Sequence, residues 1–154
     1  MERVVVLGRG GAGKTTTSVR LSRLSGLPMV ELDRHFWSPD LTPLDPATWA
    51  AVQRELAAPD RWVMDGDLGP YDVLAPRLAR ADTVLVLDFS LPRCVWNAAR
   101  RSPERADFWR WVLTWRLRHR RRILRQIRRY PHARLVVLRG PRDLATFLTE
   151  LPSP

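Results

Sequence analysis

The run Gly8-Arg9-Gly10-Gly11-Ala12-Gly13-Lys14-Thr15 lies between an apolar stretch and a helical one, and nothing else in the chain limits its fold so strongly. Val4–Leu7 reads as a buried strand, and the residues from Lys14 to about Ser25 read as a helix. The run matches G-x-x-x-x-G-K-[ST] at every defined position, in the strand–turn–helix setting that the pattern requires. Glycines let successive backbone N–H groups converge on a concave nest, and the helix N-terminus behind it adds a positive dipole end. Such a loop holds the phosphates of a nucleoside triphosphate. Of the 26 basic residues, Lys14 is the only lysine, and a compact ammonium on a flexible stem suits the β- and γ-phosphates better than a planar guanidinium. Gly10, Gly11, Ala12, Gly13, Lys14, Thr15 and Thr16 are the expected ATP contacts, with the Thr15 hydroxyl on Mg²⁺.

The rest of the chain alternates in the same way. Short strands are expected at Met29–Leu32, Arg61–Met64, Thr83–Leu87 and Leu135–Leu138. Helices are expected from the Asp45-Pro46 cap to about Ala57, from Ser90 to Arg101, from Ser102-Pro103-Glu104 to Arg129, and from Pro141 to about Leu148. Five apolar strands separated by helices predict a three-layer α/β domain, residues 1–150, with a parallel sheet covered on both faces. Ser38–Pro46 is expected to be a surface loop, and 151–154 a loose C-terminal tail.

At 154 residues the chain is long enough to bury a real core. No apolar stretch approaches the length of a membrane span, and the chain begins directly with its first strand. The single cysteine, Cys94, is read as a small buried apolar residue, and a reducing cytoplasm is the expected setting. Oligomeric state stays open between monomer and homodimer. The net charge of +10 suits a polyanionic ligand, either ATP or a nucleic acid. Eight arginines between Arg116 and Arg129 form either a solvated helix face, a nucleic-acid patch or part of a lid.

Ligands of such sheets bind at the carboxyl ends of the strands. Asp33, Asp65 and Asp88 each follow a strand there. Asp33 could orient or deprotonate an acceptor hydroxyl, or meet Mg²⁺ through water; Asp65 could hold the Mg²⁺ shell. Phe36, Trp37, Asp65, Gly66 and Asp33 are the expected acceptor contacts. Arg100, Arg101 and Arg105 flank Ser102-Pro103, a junction that could close as a lid spanning about 100–122. Arg101 and Arg118 are the candidate transition-state clamps, and Arg100 and Arg139 complete the candidate nucleotide contacts.

In order along the chain stand the phosphate loop, Glu31-Leu32-Asp33 with Phe36-Trp37, Val63-Met64-Asp65-Gly66, and Ala81 through Phe89. Cys94-Val95-Trp96, Arg100-Arg101, Pro103-Glu104-Arg105, Arg110-Trp111-Val112 and Val136–Arg139 follow. The set resembles the bacterial topology-modulation proteins, small adenylate-kinase-like P-loop proteins, over nearly the whole chain. The resemblance implies a sheet in the order 2-3-1-4-5 and an ATP-dependent kinase. It also places Asp33 where shikimate-kinase-like enzymes keep an acidic residue near Mg²⁺ and the acceptor hydroxyl. This chain departs from the adenylate-kinase pattern at Asp67-Leu68-Gly69, where the arginine-bearing part of the Asp-Gly-Phe-Pro-Arg motif is missing. It departs again at Asn97, usually an arginine, and at a short junction around Ser102. Kinase activity toward a small-molecule or nucleotide acceptor is the leading expectation. A nucleotide-regulated nucleic-acid-binding protein and a slow NTPase without an acceptor are the alternatives.

Overall fold

The computed structural model describes residues 1–38, 40, 42–101 and 106–151, without the side chains of Pro70, Arg101 and Asp107. Five strands form one parallel sheet: β1 (Arg3–Gly8), β2 (Met29–Glu31), β3 (Trp62–Asp65), β4 (Thr83–Leu87) and β5 (Arg134–Leu138). Their order is β2-β3-β1-β4-β5, as the resemblance implies. The helices are α1 (Lys14–Ser25), α2 (Asp33–Phe36), α3 (Pro46–Leu56), α4 (Ala75–Arg80), α5 (Leu91–Arg101), α6 (Ala106–Thr114), α7 (His119–Ile127) and α8 (Pro141–Thr149). No helix of the described residues is long and apolar enough to cross a membrane.

The continuous apolar run of β1 follows from its position. Val5 and Leu7 point to one face and pack with Trp49 of α3, Leu78 of α4 and Ile123 of α7. Val4 and Val6 point to the other face, with Leu21 of α1, Cys94 of α5 and Leu148 of α8. A strand with helices on both sides has no solvent face for polar residues. Each such buried aliphatic side chain contributes about 1.5–3 kcal/mol. Leu151, expected to begin a loose tail, packs against the second of these clusters; 152–154 lie outside the described residues.

Two helices begin in opposite ways for a functional reason. Asp45 caps α3, accepting hydrogen bonds from the Ala47 and Thr48 amides at 2.9 and 3.0 Å. At the start of α1, Gly13 is left-handed, with φ 83°, and no side chain caps the first amides. Those N–H groups are left to an anion.

The helix expected from Pro103 to Arg129 is not continuous. It divides into α6 and α7 around a turn at 115–118. Trp115 is fully buried at this break, and its Nε1 donates to Asp67 Oδ2 at 3.3 Å. Arg116 and Arg120 converge on buried Asp88, with Arg120 Nε donating to Oδ2 at 2.8 Å. Asp88 thus anchors this turn rather than lining the ligand cleft described below. The short helices α2 and α4 were not read from the sequence. The junction Ser102–Arg105 lies outside the described residues.

The loop after β3 is held from below by a buried ion pair. Arg77 of α4 donates to Asp72 Oδ1 at 2.9 Å and Oδ2 at 2.6 Å. It also donates to Gln53 Oε1 at 2.5 Å and to the Gly66 carbonyl at 3.2 Å. Asp72 Oδ2 in turn accepts from the Leu68 amide at 3.2 Å. Removing one member of a buried pair strands the other charge. Arg77→Met is therefore expected to lower unfolding stability by about 3–5 kcal/mol, and adding Asp72→Leu to recover much of it. Urea unfolding followed by circular dichroism measures both; a single-variant loss under about 1 kcal/mol would show that the pair does not hold the loop.

Candidate functional site

The carboxyl ends of β1, β2 and β3 open into one cleft of about 950 Å³. Gly10, Gly11, Gly13, Lys14, Thr15 and Thr16 line one half, joined by Asn97, Ala98 and Arg100 of α5. Asp33, Trp37, Asp65, Gly66, Asp67, Leu68 and Tyr71 line the other, and Phe108 and Trp111 of α6 flank both. The first half is the donor half, because it contains the phosphate loop.

Two loop residues that the motif leaves undefined are dictated by packing. Gly11 has φ +78°, and a Cβ there would lie 2.1 Å from the Cys94 carbonyl oxygen. A Cβ at Gly10 would meet the Phe108 ring at 2.6 Å. Glycine at both positions lets α5 and α6 press on the loop. Asn97 adds a tether, donating from Nδ2 to the Gly11 carbonyl at 3.0 Å. Ala12 turns its methyl into the core and does not line the cleft. Lys14 Nζ donates to the carbonyls of Gly8 and Arg9 at 2.9 and 3.3 Å and lies 5.5 Å from the centre of the Trp111 ring. The loop's own carbonyls thus preposition the ammonium over the nest.

The neighbouring Arg9 is buried beneath the loop, 5.5 Å from the Trp115 ring centre, and burial lowers its pKa. Cys94 is buried and unpaired, as expected, and burial pushes its thiol up.

Asp65 ends β3 opposite Val6 of β1 and Glu31 of β2. It is only 6% exposed, and its Oδ1 has no hydrogen-bond partner. Burial raises its carboxyl pKa; the Thr15 hydroxyl, the Lys14 charge and Ser18 act in the opposite sense. A buried carboxylate oxygen without a partner, beside the hydroxyl that follows the loop lysine, fits a hard cation. Among the described residues no cluster of three or more His, Cys, Asp or Glu could hold a metal alone. The arrangement suits Mg²⁺, which keeps water and phosphate oxygens in its shell rather than an all-protein cage.

Asp67 is a carboxylate that the sequence reading assigned no role. It is buried in the cleft wall, accepting from the Gly69 amide at 3.0 Å and from Trp115 Nε1. Burial raises its pKa against the opposing charge of Lys14. Its place two residues after Asp65 was the available signal.

The other expected contacts separate. Asp33 and Trp37 line the cleft, Asp33 exposed at the start of α2 and Trp37 44% exposed. Phe36 does not line it: the ring is buried, with centroids 5.0 Å from Trp37, 5.2 Å from Trp49 and 6.2 Å from Tyr71. It supports the wall from behind. Arg100 lines the donor half, 5.4 Å from the Trp96 ring centre. Arg118 and Arg139 are exposed and outside the cleft lining; the Arg139 amide instead meets Asp143 at 2.7 Å. The side chain of Arg101 lies outside the described residues.

The raised pKa of Asp65 makes a signed prediction. Once pH exceeds the ordinary carboxylate value, the unfolded chain has released the proton that the folded chain prefers to keep. Stability due to this group therefore falls as pH rises from there through the raised folded value. Without ligands, Asp65→Asn is expected to withstand more urea than the parent at pH 7. The gap should close as pH falls toward about 4. A gap that is constant with pH would mean that burial of this carboxylate is not its source. The same variant should lose the extra thermal stabilisation that Mg²⁺ adds to that of ATP.

No protein-family model matches the chain, and no curated protein matches it. The resemblance to the topology-modulation proteins therefore rests on the ordered motifs alone. Solved structures do match over nearly the full length. Shikimate kinase from Acinetobacter baumannii in complex with shikimate is 16% identical, with a TM-score of 0.66 over 97% of this chain and 90% of that one. Shikimate kinase from Bacteroides thetaiotaomicron is 14% identical, with a TM-score of 0.67 over 96% and 94%. A sugar kinase from Janibacter sp. HTCC2649 is 20% identical, with a TM-score of 0.60 over 97% and 93%. Identities this low speak for architecture, and the architecture of this chain is that of the P-loop kinases.

Proposed function

We propose that this protein is a phosphotransferase that moves the γ-phosphoryl group of ATP to a hydroxyl of a small acceptor, with Mg²⁺. One observation carries the reading: a single cleft holds the phosphate loop, with Lys14 and Thr15, facing the carboxylates Asp33 and Asp65. A site for hydrolysis alone needs no second, aromatic-walled half.

In this reading the loop amides and the open N-terminus of α1 bind the phosphates, and Lys14 neutralises charge on the γ-phosphoryl as it moves. Thr15 and Asp65 would hold Mg²⁺, which would supply positive charge to offset that of the phosphates. Asp33 accepts the proton of the attacking hydroxyl while an oxygen–phosphorus bond forms to the acceptor. The bond to the β-phosphate oxygen breaks, and ADP leaves with the electron pair. Trp37 and Tyr71 hold the acceptor's apolar face. Arg100 is the arginine of the described cleft lining. A reducing cytoplasm suits the unpaired Cys94.

ADP release in a coupled assay tests the roles separately. Lys14→Arg is expected to keep the circular dichroism of the parent and lose at least about 10²-fold in turnover. Asp33→Asn is expected to lower kcat by about 10²–10⁴ with little change in the KM for ATP. Retained turnover in Lys14→Arg would remove the lysine from the mechanism.

The arginine face supports a second reading. Arg118, Arg121, Arg122, Arg125, Arg128 and Arg129 are all exposed, on α7 and its flanks. None of them lines the cleft. A nucleic-acid partner bound there would contact them through phosphates. Binding to duplex DNA, followed by fluorescence anisotropy, should then weaken by about 10³-fold or more between 50 and 200 mM salt. A salt-independent signal would exclude phosphate contacts by this face.

A further inference from the structure

The charge of the acceptor half narrows what it can take. Its described walls present Asp33, Asp65 and Asp67, with Trp37, Tyr71 and Trp111. The cations of the described cleft lining, Lys14 and Arg100, both belong to the donor half. Four described arginines outside the lining have acidic partners. Arg77 is buried on Asp72, and Arg34 pairs with Glu31 at 3.1 Å. Arg116 and Arg120 are held by Asp88.

An acceptor with a carboxylate or phosphate would enter a half-cleft that already holds three carboxylates, one of them partly offset by a bound divalent cation. Burial sharpens the effect, since Asp65 and Asp67 lie where water screens little.

The remaining lining side chains of this half are apolar or aromatic. Trp37 and Tyr71 both pack on the buried Phe36 ring, and they are 44% and 54% exposed. Exposed aromatic faces on a rigid buried support suit the apolar face of a sugar or base, or an amine.

We propose that the phosphoryl acceptor is a ring-sized hydroxyl compound that carries no anionic group, such as a neutral sugar, an amino sugar or a nucleoside. It stacks on Trp37 and Tyr71 and donates hydrogen bonds to the acceptor-side carboxylates. The inference rests on the phosphotransfer reading above and names the substrate class for that site.

The test is acceptor-stimulated ADP release from the full chain with Mg·ATP, over a library of hydroxyl compounds sorted by charge. Each hit is compared with its matched acid, for example glucose and glucosamine with glucuronate, or adenosine with AMP. Hits are expected among neutral or amine-bearing compounds, and adding an acid group should lower kcat/KM at least tenfold. Trp37→Ala should raise the acceptor KM about tenfold and leave the KM for ATP within twofold. An anionic hit that outperforms its uncharged counterpart would overturn the inference and leave the phosphotransfer reading standing. Calorimetric binding of an ATP analogue with no acceptor stimulation from any class would instead remove the phosphotransfer reading, and this inference with it.

Discussion

The doubly buried strand β1 hands its chain to α1 through a glycine loop on which two further helices pack, and the candidate site is built around that close contact. β1 has no polar face to offer, so both its sides are committed to core. Its exit turns through glycines, and α5 and α6 press on them until no Cβ fits at Gly10 or Gly11. The same close packing leaves the amides of the turn and of the uncapped α1 facing the cleft. A structural demand of the sheet and a chemical demand for anion binding are met by the same few atoms.

Charge is distributed around this loop by burial as much as by residue type. Asp65, Asp67 and Asp88 all lie near strand ends, yet they do different things. Asp88 is neutralised by Arg116 and Arg120, and it fixes the turn between α6 and α7. Asp67 is held by an amide and the Trp115 indole, and so couples that turn to the cleft wall. Asp65 alone of the three keeps a buried carboxylate oxygen without a partner inside the cleft lining. Beneath them the Arg77–Asp72 pair holds the Gly66 carbonyl and the Leu68 amide. The loop after β3 is thus held by a charge pair that lies outside the cleft lining.

The parts legible in the sequence were those governed by local physics. Apolar runs located five strands, the Asp45-Pro46 cap located α3, and the phosphate loop located the donor half. What escaped depended on distant partners. Periodicity alone could not show that the arginine-rich helix breaks at Trp115, because the break serves contacts to Asp67 and Asp88 far away in sequence. Phe36 and Trp37 looked equivalent as neighbours, yet the turn of α2 buries one and exposes the other. Arg118, a candidate clamp in the sequence, stands exposed in the turn before α7 and outside the cleft lining, because the break at 115–118 redirects the chain there.

By itself the sequence determined that a glycine-rich loop of phosphate-binding pattern follows an apolar strand, because that pattern is written in contiguous residues with backbone requirements. It also determined that acidic residues would gather at the strand ends, since β-strand register carries each strand's final residue to the same edge. Only the tertiary structure decided which of those acids lines the cleft and which is consumed by arginine. Burial and ion pairing are properties of what surrounds a residue, and its surroundings come from parts of the chain that local sequence does not specify.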